Sequence, residues 1–162
     1  MRLILAVIAS LAFAATAEAA TFRLGTPPVF SIALPDDWES SEIDKGVEST
    51  SKDEEIYIAA EVVSIAKLED AVTQAVAYLI SEGVRIDEKT ETRGEGKIGG
   101  MDAIFVEYSG KDEDDEATEV SIGVIVASPT TAVIVTYWGS PDGEKANAAA
   151  LKTIVDSIKK ID

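Results

Sequence analysis

The chain has 162 residues, with thirty acidic against fourteen basic side chains and a formal charge of −16. That excess argues against binding nucleic acid or anionic membrane surfaces, whose phosphates repel it. The absence of histidine and of cysteine excludes Ser-His-Asp and Cys-His catalysis, His- or thiolate-ligated zinc and copper, disulfides and lipobox acylation. Any general base would have to be a carboxylate, a lysine or a tyrosine with a shifted pKa.

Met1-Arg2 opens the chain with one positive charge, Leu3 to Ala15 is apolar, and Ala17-Glu18-Ala19 is an A-x-A site. That order is the pattern of a secretory signal peptide, and its apolar part is too short to span about 30 Å of hydrocarbon. Residues 1–19 are therefore expected to be removed. Residues 20–162 then form one exported domain, periplasmic or released, large enough to bury a core without a metal or disulfide staple. No later stretch is apolar for as long as a membrane-spanning helix requires, so no membrane anchor is expected.

Residues 22–34 contain the first strand, in which Phe30, Ile32 and Leu34 alternate with Ser31 and Ala33. Pro35-Asp36-Asp37 ends it in a turn, and Trp38 follows, placed to fold back over the strand end. Val47 to Ser51 predicts a short strand. Glu55 to Val63 predicts a clearer one, with Ile56, Ile58, Ala60 and Val62 on one side and Tyr57, Ala59 and Glu61 on the other. The period then lengthens: Leu68, Ala71, Val72, Ala75, Val76 and Leu79 mark an amphipathic helix over 67–82. Glu69 and Asp70 suit its N-terminal dipole and Gly83 its C-terminal cap.

The polar run 86–97 predicts an exposed strand whose charges guard a sheet edge, and Gly99-Gly100 turns the chain. Met101–Ser109, Val120–Ala127 and Ala132–Trp138 are apolar on both faces, as strands at the centre of a covered sheet are. Their short connections require antiparallel pairing. Ser140-Pro141 predicts the cap and first residue of a closing helix. Leu151, Ile154, Val155 and Ile158 form its buried stripe, and Lys159 and Lys160 lie at its C-terminal end. The expected fold is α+β: an antiparallel sheet of about five to seven strands with one helix on each face, an α/β/α sandwich. Segment 86–97 should lie at or near an edge.

Phe30-Ser31-Ile32-Ala33-Leu34-Pro35 followed by Trp38, together with Thr153-Ile154-Val155-Asp156-Ser157-Ile158, resembles the opening strand and closing helix of the PsbP-like family. That family is typified by the extrinsic P subunit of photosystem II and shares its fold with a Ran-binding nuclear import factor. The resemblance implies a non-catalytic accessory or interaction protein, and it carries no catalytic residue across. Lipid attachment, common in bacterial relatives, needs a cysteine, and the cation sites of the photosystem branch include histidine. This chain has neither residue.

The densest charge is Asp112-Glu113-Asp114-Asp115-Glu116. Calcium favours clustered carboxylate oxygens, but a calcium loop starting at Asp112 would need glycine where Ala117 stands and glutamate where Gly123 stands. The run reads first as a solvated hairpin tip, with Asp112, Asp114, Asp115 and Glu116 as the candidate ligands for weakly held calcium; no other cofactor is expected. Tyr137 and Trp138, at a strand end where a cleft can open, are the candidate partner contacts. Gly94–Gly100 lacks the phosphate-loop spacing, and Ser140 does not fit G-x-S-x-G. The leading reading is an exported accessory or protein-interaction module whose partner is a protein, basic in the sharper version. The alternatives are a divalent-cation binder at 112–119 and, below it, a carboxylate-based hydrolase.

Overall fold

Alternation along the apolar strands generates the architecture seen in the computed structural model, which describes residues 19–161. The expected signal peptide lies outside the described residues except for Ala19. In chain order the elements are β1 (Ala19–Leu24), β2 (Phe30–Pro35), β3 (Glu39–Ile43), β4 (Gly46–Thr50) and β5 (Ile56–Ser64). After these come α1 (Leu68–Ser81), β6 (Arg85–Ile86), β7 (Thr92–Ile98), β8 (Met101–Lys111), β9 (Ala117–Ser128) and β10 (Thr131–Gly139). The chain closes with α2 (Pro141–Ala146), α3 (Ala148–Ser157) and β11 (Lys159–Lys160).

The main sheet has eight strands in the order β3-β4-β5-β10-β9-β8, with β6 and β7 lying end to end along the outer edge of β8. Every pairing in it is antiparallel. The class and the antiparallel sheet are those expected, and each face is covered by helix. On one face Val63, Val120, Ile122, Ala132 and Ile134 meet Ala75 and Leu79 of α1. On the other, Ile58, Ile125 and Val133 join Phe30, Ile32 and Leu34 of β2 and Ile154 of α3. Consecutive strand residues point to opposite faces, so each central strand feeds both cores. Trp38 caps the second core at 6% exposure, held by its N–H to the Pro35 carbonyl at 3.1 Å.

The structure departs from the sequence expectation in five places, the first being that the main sheet has eight strands rather than about five to seven. A second, three-stranded sheet, β1-β2-β11, lies beside α3. The closing helix divides at Asn147, whose backbone (φ −98°, ψ 9°) leaves helical geometry and whose side chain caps the Gly143 carbonyl and donates to Asp53. Lys159 and Lys160 do not end a helix: α3 stops at Ser157, where the Ala33 N–H donates to the Ser157 hydroxyl at 2.8 Å. Ile158 then drops into the core and the two lysines pair with β2. Val155, within α3, lies off the buried stripe and is 47% exposed.

Segment 86–97 is the exposed edge anticipated, interrupted by a 3₁₀ turn at Glu88–Thr90. Gly99 and Gly100, both at positive φ, make the tight turn into β8. A Cβ at Gly99 would run into the Ile158 carbonyl oxygen. Among the described residues no helix is long and apolar enough to cross a membrane.

Candidate functional site

The register of β8, β9 and β10 lays out a graded floor on the sheet face beneath α3. Its rows run Ala103, Ile125, Val133; then Phe105, Gly123, Val135; then Glu107, Ser121, Tyr137; then Ser109, Glu119, Gly139. The floor is thus aliphatic at one end, aromatic in the middle and acidic at the other. The roof repeats the gradient: Leu151, Ile154 and Val155 of α3 stand over the apolar rows, and Glu144 of α2 stands over Tyr137.

Between floor and roof lies an open cavity of about 460 Å³, within the range of small-molecule sites. Its ionisable lining groups are Tyr137 and Glu144. A second recess adjoins it, sharing Ser121, Tyr137 and Glu144 and adding Glu107 and Glu119. Among the described residues no lysine or arginine lines either space. The cleft is apolar with an acidic mouth.

Local structure fixes that mouth. The Ser140 side chain accepts the Gly143 N–H at 2.9 Å and Pro141 takes the first helical position. The Ser140 N–H donates to the Glu55 carbonyl, tying the start of α2 to the sheet. Glu144 is thereby held to accept the Tyr137 hydroxyl at 2.9 Å. Burial, and then that bond to Glu144, push the Tyr137 phenol far above its ordinary range. Tyr137 therefore keeps its proton at neutral pH and acts as a hydrogen-bond donor, not a base. Ser109 donates to Glu119 and Thr92 to Glu107 at 3.3 Å each.

The structure separates the two aromatic residues singled out at the strand end. Tyr137 lines the cleft, whereas Trp138 points to the opposite face. There it stacks on Tyr57 with centroids 4.1 Å apart and planes inclined 20°, and Tyr78 of α1 lies alongside. The acidic run forms the β8–β9 hairpin tip. Asp112 accepts the backbone N–H groups of Asp114 and Glu116 at 3.0 and 2.9 Å. Asp115 pairs with Arg85 and Lys111 at 2.7 and 2.9 Å, and those neighbours hold its carboxyl below the usual range, Lys111 most strongly. Among the described residues no three acidic groups converge as a metal-binding set; Asp112, Asp114, Asp115 and Glu116 share the hairpin tip without forming one.

Sequence reasoning missed Phe105, Glu144 and Leu151. One signal was available: Gly123 interrupts an apolar run in mid-strand, and such a glycine marks a place where something must approach closely.

No protein-family model matches the chain, and no curated protein matches it in sequence. Solved structures do match in shape. The solution structure of cyanobacterial PsbP (CyanoP) from Synechocystis superposes with a TM-score of 0.58 at 11% identity, covering 95% of this chain and 99% of that one. The fold is PsbP-like. LpqN of Mycobacterium tuberculosis, involved in cell envelope biogenesis, matches at a TM-score of 0.51 and 13% identity, covering 93% of this chain and 88% of LpqN. A Bacteroides thetaiotaomicron protein matches at 0.57 and 13%, covering 88% of this chain but 48% of its own length, so the chain spans about half of it. At these identities the PsbP-like likeness concerns architecture, and function is argued from the site itself.

Proposed function

We propose that this chain is an exported, non-catalytic accessory module that works by binding, and that its binding site is the cleft between the main sheet and α2–α3. The observation that carries this reading is the cleft's lining. A cavity of about 460 Å³ walled by Phe105, Ile125, Val135, Leu151 and Ile154 offers an apolar surface and one tyrosine–carboxylate pair. That pair orients a bound group, the tyrosine keeping its proton and donating a hydrogen bond to the carboxylate. Export rests on the Met1–Ala19 pattern, and the envelope role of LpqN fits such a destination.

The test is titration with an uncharged apolar fluorophore, N-phenyl-1-naphthylamine. One saturable site per chain is expected, lost in Ala148→Trp, which places an indole in the cleft from an exposed position on α3. Equal binding by the folded variant would contradict the reading.

A further inference from the structure

The cleft's polarity gradient specifies its ligand more narrowly than apolarity alone does. We infer that the site takes a single-chain cationic amphiphile, with its alkyl chain over Phe105 and Gly123 and its ammonium head at Glu107, Glu119 and Glu144. This rests on the proposed binding role of the cleft and adds the chemical class of the ligand.

Size selects one chain. A cavity of about 460 Å³ falls in the range of small-molecule sites. An unbranched alkyl chain matches the apolar row Phe105, Gly123, Val135, where the Phe105 ring covers the Gly123 backbone. Charge selects the head. Three carboxylates border the recess at the polar end, and neither space has a basic side chain among its described lining residues. An anionic head would meet three like charges and be repelled. A neutral head would gain hydrogen bonds only. A cationic head gains both the hydrogen bonds and the Coulomb attraction, and an ammonium supplies the donors that carboxylates accept. The gradient runs the same way on floor and roof, so chain and head have one joint orientation.

The experiment is calorimetric titration of the exported chain with decylammonium, decyl maltoside and decanoate, each below its micellar concentration. Decylammonium should bind about tenfold more tightly than the maltoside, and decanoate more weakly than both. Shortening the ammonium chain from ten to eight carbons should cost about fifteenfold. Glu144→Gln should weaken decylammonium severalfold, and by more than it weakens the maltoside. Glu113→Gln, at the distant hairpin tip, should change neither, which separates the cleft from the overall negative field. Ala148→Trp should abolish all binding.

Equal affinity for ammonium and maltoside, with Ala148→Trp still blocking both, overturns the cationic head and leaves the cleft reading intact. An ammonium preference that survives Glu144→Gln but falls in Glu113→Gln also overturns it, because the attraction would then be diffuse. No binding by any of the three overturns both readings.

Discussion

The ring of Phe105 lies over the backbone of Gly123, so close that a Cβ at Gly123 would sit 3.3 Å from the Phe105 Cδ1. The glycine is needed for that space rather than for its backbone angle. Gly123→Val should displace the ring into the cleft and cost about 1–3 kcal/mol through overpacking. Urea denaturation should show the loss, and naphthylamine binding should weaken in the folded fraction.

All four tyrosines have phenols held above their ordinary range. Burial is the first cause at each, with Glu48 beside Tyr57, Glu91 beside Tyr108 and Glu144 beside Tyr137 adding to it. The folded chain therefore binds these protons more tightly than the unfolded chain does. The associated stability is complete below about pH 10, the ordinary tyrosine value, and is lost as pH rises beyond it. Ultraviolet titration should show two of the four tyrosines, Tyr57 and Tyr137, still protonated above about pH 10 in the folded protein and ionising together with unfolding. A normal titration with the fold intact would contradict this.

A stacked aromatic pair lies on the other sheet face. Tyr57 and Trp138, 4.1 Å apart, should show a coupling of about 0.5–1.5 kcal/mol in a double-mutant cycle to leucine. Neither single variant should alter binding in the cleft, because the sheet lies between.

Ile158 is fully packed although it follows the last helix. Ile158→Ala should destabilise by about 2–5 kcal/mol, whereas Val155→Ala, on the half-exposed side of α3, should cost far less. Thermal melts of the two variants compare them directly.

Asp112 holds the hairpin tip by accepting two backbone N–H groups. Asp112→Ala should cost about 1 kcal/mol, and millimolar calcium should leave the melting temperature of the unmodified chain unchanged. A calcium-dependent rise that Asp112→Ala removes would place an ion at the tip.

β5, β9 and β10 were legible as near-continuous apolar runs, because both faces of those strands are buried and the period-two alternation is weak. The helix at Leu68–Ser81 was legible because a single apolar face recurs at its own period. β1 and β3 were not: Glu39–Ile43 has one apolar residue in five, and its pairing with β4 is specified by register rather than by burial. The turn of Ile158 and the two lysines from helix to strand depends on the Ser157–Ala33 contact, made by residues 124 positions apart. The cleft was hidden for a related reason. Glu107, Glu119 and Glu144 come from three elements, and only the register of β8 with β9 and the cap at Ser140 place them at one mouth. Tyr137 was found at its strand end, while the parity that sends Trp138 to the other face follows from the strand period once both are assigned to β10.

Methyl-resolved NMR during titration with decylammonium would report directly which surface is occupied. Shifts concentrated on Ile58, Ile125, Val135 and Leu151 are predicted, with Ile104 and Val126, exposed on the opposite face, left in place. Movement of Ile104 and Val126 beneath a silent cleft would contradict the account.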